Sequence, residues 1–351
     1  MTHWLDRVTH LRLAALLLIG AIAQASCDSI DDDLSDCGID AAVTYDVRLL
    51  TNMDDELATV LGEPADAPVA TALRSHLTPI FAERAHDLDI AFYQLAGAVL
   101  PSPTTPTAST TTTAPLYHRE RHIIDARQAA YTLYLPLHRY QNLALANLAD
   151  NSAVALSGAD DAATVTLASA ATTPHTTGLF TARLPMDLSR AEGQRTYHAT
   201  LYMANSAAAL VIDTTGVTTQ GITVTVSGLA DAFNVNDSTY TYDKHITVST
   251  QEVKAASGHQ ACYCTVAFPS PDSAPAATRA DATAIWTVYA YVDLPDGTTT
   301  RNVINVYQPL HAACLKIIKV RMQDDGSFLP VTTEVGVSTS LNWRKGGEYE
   351  V

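Results

Sequence analysis

Two turn signals in the second half of the chain constrain its fold more than any other feature. Pro295-Asp296-Gly297 separates the apolar-alternating runs 285–292 and 301–306, and Asp324-Asp325-Gly326 separates 315–322 from 328–331. Asp-Gly between alternating runs is the signal of a tight hairpin, because glycine supplies the positive φ that such turns need. Residues 223–227 alternate Val with Thr and Ser, and Ile246 and Val248 repeat the pattern. Short strands with turns at this spacing predict a β-sandwich, and no helical period is seen after residue 200. Thr, Ala, Val and Tyr are plentiful while Lys occurs only five times, which favours strands over charged helices.

The first half mixes patterns. Val69, Leu73, Leu77, Ile80 and Phe81 follow helical spacing and predict one amphipathic helix over 67–85, kinked or restarted at Pro79. Leu88, Ile90 and Phe92 then alternate as a half-buried strand does. Residues 101–115 contain four Pro and seven Thr and predict an exposed, partly extended loop inserted between strands. Further strands are expected at 131–135, closed by Pro136, at 164–167, at 179–184 and at 197–203. The polar stretch 187–194, with Gly193, is the expected domain boundary. At about 150 residues per domain, the chain divides into domains at 41–190 and 191–351.

Charge narrows the function. The chain has 21 Lys plus Arg against 37 Asp plus Glu, a formal net charge of -16. Phosphate binding needs a basic footprint, so nucleic acid is not an expected partner. Docking by charge on an anionic membrane is excluded on the same ground.

The N-terminus reads as a leader over 1–26. Arg7 and Arg12 form a weakly basic start, and residues 13–23 form an apolar run. That run is shorter than the roughly 20 residues a bilayer span requires and suits a signal segment. Gln24, Ala25 and Ser26 precede Cys27. Small residues directly before a cysteine resemble a bacterial lipoprotein box, cut between Ser26 and Cys27, in which the Cys27 thiol is acylated. The plainer alternative is a secretory signal cut near Ala25 that leaves Cys27 a simple thiol. Asp28, Asp31, Asp32, Asp33, Asp36 and Asp40 follow, with no Lys or Arg before Arg48. By composition, 27–40 is a solvated tether. An acidic run after a lipidated cysteine also resembles the surface-export signal of Bacteroidales lipoproteins, which assigns that role to Asp28, Asp31, Asp32 and Asp33. Several acyl chains at about 0.8 kcal/mol per buried methylene give stable membrane attachment.

Besides Cys27 there are Cys37, Cys262, Cys264 and Cys314. Cys262 and Cys264 point to one face of a strand, so they do not bond each other there, but either could reach Cys314 on a neighbouring strand. Buried thiols or one disulfide among Cys262, Cys264 and Cys314 are expected rather than a metal site, because no zinc-ligand spacing accompanies them. His86, Asp87 and Asp89 look like a ligand cluster but suit capping positions at a helix–strand junction. His118, Arg119, Arg121 and His122 read as a solvated charge run. No nucleophile elbow, phosphate loop, dinucleotide fingerprint or zinc-protease motif is present, so no catalytic residue, metal or cofactor is assigned and the chain is not expected to be an enzyme. Asp213-Thr214-Thr215 and Asp237-Ser238-Thr239 resemble bacterial O-glycosylation tripeptides, which arise often by chance in a Thr-rich chain. A glycan-binding lipoprotein would want a tryptophan-lined cleft, and outside the leader the only tryptophans are Trp286 and Trp343, both in strand-like surroundings.

Several stretches together resemble the FimB family of Bacteroidales minor-fimbrium anchor lipoproteins. They are Cys27-Asp28-Ser29-Ile30 with Leu34-Ser35-Asp36-Cys37, Ile80-Phe81 through His86-Asp87-Leu88-Asp89 to Phe92-Tyr93, and Tyr131-Thr132-Leu133-Tyr134-Leu135-Pro136 with Tyr140 and 143–147. Gly178-Leu179-Phe180-Thr181-Ala182-Arg183-Leu184-Pro185-Met186, Leu201-Tyr202-Met203-Ala204-Asn205, Trp343 and Glu348-Tyr349-Glu350-Val351 complete them. The resemblance implies two tandem transthyretin-like or immunoglobulin-like β-sandwiches, with one short helix in the N-terminal domain. It implies a lipid-anchored subunit at the outer-membrane surface that holds the base of a fimbrium and limits its length. Its partners would be major or accessory fimbrial subunits, joined by β-strand donation, and its only cofactor the covalent lipid on Cys27. A tip or accessory adhesin subunit is the alternative. Residues 332–351 are either the segment that engages the neighbour or the last strand of their own sandwich.

Overall fold

In the computed structural model, residues 40–50, 57, 60–82, 84–95, 114–126, 128–189, 195–244, 246–255, 259–273, 284–331 and 335–344 are described. The leader, Cys27, Cys37, the acidic segment and loop residues 101–113 lie outside them. The described elements are β1 (Asp40–Leu50), α1 (Ala67–Leu77), β2 (Ala85–Gln94), β3 (Leu116–Ala126), β4 (Gln128–Pro136), β5 (Arg139–Ala146), β6 (Val154–Ser157), β7 (Thr166–Ser169), β8 (Phe180–Asp187), β9 (Arg195–Met203) and β10 (Ser206–Asp213). They continue with β11 (Gly221–Ser227), β12 (Ala232–Asn234), β13 (Thr239–Thr241), β14 (Thr247–Ser249), β15 (Gln251–Glu252), β16 (Gln260–Ala267), β17 (Trp286–Asp293), β18 (Thr298–Val306), β19 (Leu315–Met322), β20 (Phe328–Pro330) and β21 (Val335–Arg344). The protein is mainly β.

Four sheets form. A seven-stranded sheet has the order β3-β2-β5-β8-β9-β1-β4, and a four-stranded sheet, β13-β12-β7-β6, lies against its outer face. Two five-stranded sheets, β15-β16-β10-β19-β20 and β14-β11-β17-β18-β21, pack face to face around Trp286, Ile304, Ile318 and Phe328. The two hairpin turns form where the sequence places them, with Gly297 at φ +82° and Gly326 at φ +76°. At Gly326 a side chain would also meet Thr300 at 3.1 Å.

The helix is shorter and placed differently than expected. Val69, Leu73 and Leu77 share one buried face, each worth about 1.5–3 kcal/mol of burial. The helix stops at Leu77 because Pro79 cannot continue it; the Thr78 N–H closes the last turn on the Arg74 carbonyl at 2.8 Å. Sequence places α1 in the N-terminal domain, yet it covers the sheet built from β10, β16 and β19, sharing a core with Ala209, Val211, Cys262, Cys264 and Ile317. In return the hairpin β12–β13 joins β6 and β7: Phe233 pairs with Leu167 and packs against Leu143 and Leu145. The chain therefore does not split at 190/191. The polar stretch 187–194 leads from β8 into β9, which pairs in parallel with β1 and stays in the first sheet, and the handover to the second half comes between Met203 and Ser206.

Candidate assembly surfaces

The strands give the molecule an axis. β1 begins at Asp40, opposite Pro136 of β4, and ends at Leu50, opposite Tyr202 of β9. One residue after Tyr202 the chain leaves the first sheet, and β10 starts at Ser206. In the second half, β21 starts at Val335 opposite Val306, near this junction, and ends at Arg344 opposite Thr298, beside the 295–297 turn at the outer end. The first described strand thus starts at one pole and the last ends at the other.

The two strands are held differently. β1 is embedded, antiparallel to β4 along Asp40–Arg48 and parallel to β9 along Val43–Leu50. Val43, Tyr45, Val47 and Leu49 point into the core. The Tyr45 hydroxyl donates to the buried Asn142 amide oxygen at 2.5 Å, and Asn142 donates to the Ala91 carbonyl at 3.0 Å, so this phenol is tied to β5 and β2; burial holds its pKa far above the ordinary tyrosine range. Among the described residues β21 is the edge of its sheet and pairs only with β18, with a register shift between Thr299 and Arg301. Of the two readings of residues 332–351, the strand part lies in its own sandwich.

A groove of about 950 Å³ opens on the other flank of the second sandwich. β14 covers β11 only along Thr225–Ser227, so Gly221–Val224 lie on the groove wall, facing Gln260 and Tyr263 of β16. Thr214, Thr218, Thr223 and Thr250 are among its lining residues.

The residues singled out in sequence fall into structural roles. Asp89 is buried on β2 and accepts from the Arg119 guanidinium and from Arg121 Nε at 3.0 Å. The hydrogen bond that Arg119 donates to Asp89 raises the Arg119 pKa. The expected solvated run is thus strand β3, and both of its arginines pair with a buried acid. Asp87 accepts from the N–H groups of Leu148 and Ala149, each at 3.2 Å; burial raises its pKa and these two bonds oppose the rise. The His86 N–H donates to Asn147 Oδ1 at 2.8 Å. Among the described residues no group of His, Cys, Asp and Glu is arranged to hold a metal.

The expected disulfide does not form with Cys262 or Cys264, which are both free thiols whose pKa burial pushes up, that of Cys262 to about 12. Cys262 pairs with Val211 and Cys264 with Ala209, whereas the Cys314 carbonyl accepts from the Ala207 N–H on the far side of β10. An intervening strand puts Cys314 about 9–10 Å from either thiol strand, beyond disulfide reach. The two tripeptides sit in exposed turns, where Asp213 accepts from the Thr215 hydroxyl at 2.6 Å and Asp237 from that of Thr239 at 2.5 Å.

Sequence reasoning missed a buried polar trio at the junction. His175 Nε2 lies 3.0 Å from Ser169 Oγ, and its Nδ1 lies 3.5 Å from Asn205 Nδ2. Asn205 Oδ1 accepts from Leu179 N–H at 3.1 Å and its Nδ2 donates to Thr177 O at 2.8 Å, which fixes the amide orientation. The imidazole Nδ1 therefore faces a donor and accepts, leaving the proton on Nε2 to donate to Ser169. This tautomer is the reverse of the one that activates a serine nucleophile. Burial lowers the His175 pKa to about 3. The signal was thin, since one histidine in the irregular stretch 170–178 has no periodic context.

No protein-family profile and no curated protein matches this chain. Solved structures do. A candidate adhesin of Bacteroides thetaiotaomicron aligns over 88% of this chain and 100% of its own, with a TM-score of 0.51 at 9% identity. The fimbrial anchor protein Mfa2 of Porphyromonas gingivalis covers 86% of this chain and 100% of its own at 11% identity and TM-score 0.44. The tip fimbrial protein Mfa3 of the same organism covers 87% of this chain and 100% of its own at 9% identity and TM-score 0.38. At these identities the likeness speaks for the fold alone, and it is the first of the three that shows this chain to share the fold of a Bacteroides candidate adhesin.

Proposed function

We propose that this protein is a fimbrial anchor subunit, lipidated on Cys27, that holds the base of a fimbrium at the outer-membrane surface and limits its length. The reading rests above all on the placement of the two strand ends. Twelve residues, 28–39, separate Cys27 from Asp40. Extended, they reach at most about 40 Å, so a lipid on Cys27 would tether the pole where β1 begins. That strand is locked between β4 and β9 and is not offered to another chain. The opposite pole, where β21 ends, is left for the neighbouring major or accessory subunit, with the residues after β21 as the segment that engages it. The protein on this reading is no enzyme and carries no cofactor beyond its covalent lipid.

Deleting the gene is expected to give long, shed fimbriae. Cys27→Ala is expected to move the protein from the outer-membrane to the soluble fraction; unchanged fractionation would refute lipid attachment. The second reading, a tip or accessory adhesin that binds host or bacterial ligands, draws on the fold shared with a candidate adhesin and on the exposed Tyr134 and Tyr202. It predicts retained fimbriae with lost adhesion.

A further inference from the structure

We infer that the protein is built to carry tension between its two poles, with β1 as a two-sided shear clamp and β21 as the element that yields first. The geometry stands without the anchoring reading; its use in a cell rests on it.

A strand pulled along its own axis from its end is loaded in shear. All its ladder hydrogen bonds then resist together, and the resistance grows with the number of bonds and flanking strands. A pull on Asp40 away from the molecule runs along β1. It meets β4 over Asp40–Arg48 on one side and β9 over Val43–Leu50 on the other. Sliding would also drag Val43, Tyr45, Val47 and Leu49 out of the core and break the Tyr45–Asn142 bond.

A pull on Arg344 outward runs along β21. Among the described residues β18 is its only hydrogen-bonded strand, with β20 near it but unpaired, the ladder is interrupted between Thr299 and Arg301, and of its described side chains Val335 alone is buried, with Val337 partly so. Both strands face the same kind of load, and β21 has half the flanks and less of a buried face. Between them the load crosses from one half to the other, and the start of α1 is fastened to the second half at the Asp213 end of β10: buried Asp66 accepts from Lys319 Nζ at 2.7 Å and from Gln260 Nε2, whose residue pairs with Asp213, at 2.8 Å. The exchanged hairpin β12–β13 fastens the second half to the first. These ties favour failure at an end strand over parting of the halves.

The test is single-molecule pulling on residues 28–351 with a handle fused at each end. In one variant, V303C/S338C, an outward-facing pair of β18 and β21 is cross-linked. In the other, T44C/T132C, the cross-link joins β1 to β4. Each is compared oxidised and reduced, so the reduced form controls for folding. The expected result is that oxidation raises the first rupture force at least twofold in V303C/S338C and leaves it unchanged in T44C/T132C. A rise in T44C/T132C, or no rise in V303C/S338C, overturns the proposal. Neither outcome depends on lipidation, which Cys27→Ala tests separately.

Discussion

The two five-stranded sheets of the second half differ in how they are covered. In β17 buried and half-exposed residues alternate strictly, because one face meets the partner sheet and the other meets water. In β10 every residue from Ser206 to Ile212 is buried. Ala208, Leu210 and Ile212 face the partner sheet, while Ala207, Ala209 and Val211 face α1 and the first-half core. The second sandwich is therefore incomplete in its own sequence. It takes its third layer from a helix more than a hundred residues upstream, and repays it with the hairpin β12–β13.

The sharpest way to break this contrast is to place a charge on each sheet at matched depth in sequence. Ala209→Asp buries a carboxylate beneath α1, between Cys264 and Ile317 on the neighbouring strands, and is expected to cost more than about 4 kcal/mol or abolish folding. Thr287→Asp, on the outer face of β17, should change stability by no more than about 0.5 kcal/mol. Urea unfolding of the two variants compares them directly; equal losses would mean that α1 does not seal its sheet.

Removing the tie of α1 comes next. Asp66 is 1% exposed and its partner Lys319 only 16% exposed on its side chain. Asp66→Ala leaves that ammonium facing an empty place. Breaking a buried pair from one side costs about 3–5 kcal/mol, and hydrogen exchange should show the loss first in α1 and β16. Exchange that rises evenly over both halves would contradict a local role.

How much of this was legible depends on whether a face met water. β11, β17 and β18 were readable because alternation survives where one side is wet. β10 was not, since 207–212 is an unbroken apolar run that has no period. β1 did carry the signal, with Ala41, Val43, Tyr45, Val47 and Leu49 alternating, but the acidic residues before it drew the eye to a tether. β3 was misread because its charge run makes sense only beside Asp89, thirty residues earlier and on another strand. One local signal was readable and underused. Asp-x-Ser/Thr marks exposed turns at Asp187, Asp213, Asp237, Asp296 and Asp325; the first four accept from the hydroxyl two residues on, and Asp325 accepts from the Ser327 backbone N–H. The exchange of α1 for β12–β13 left no trace in sequence, because each piece has an ordinary amphipathic pattern and nothing local says which sheet it covers.

The smallest effect concerns the edge of the doubly covered sheet, where the His175 ring packs on Phe268 just past β16 and the His175 backbone N–H donates to the Val266 carbonyl at 2.7 Å. Burial lowers its pKa from 6.5 to about 3. The unfolded chain therefore takes up a proton as pH falls through 6.5, and the folded one does not until about pH 3. Stability from this group is complete above that first value and drains away below it, by about 2 kcal/mol between pH 7 and pH 5. The groups facing the imidazole are neutral: the Ser169 hydroxyl, the Asn205 amide and the ring of Phe268. A protonated Nδ1 would meet the Asn205 donor head-on, and the amide cannot turn without giving up Leu179 and Thr177. The urea midpoint should fall accordingly on acidification, and His175→Gln, which cannot titrate, should flatten that slope even if it lowers stability throughout. A slope unchanged by the substitution would assign the acid sensitivity elsewhere, and the junction would then be held by packing rather than by a histidine kept neutral.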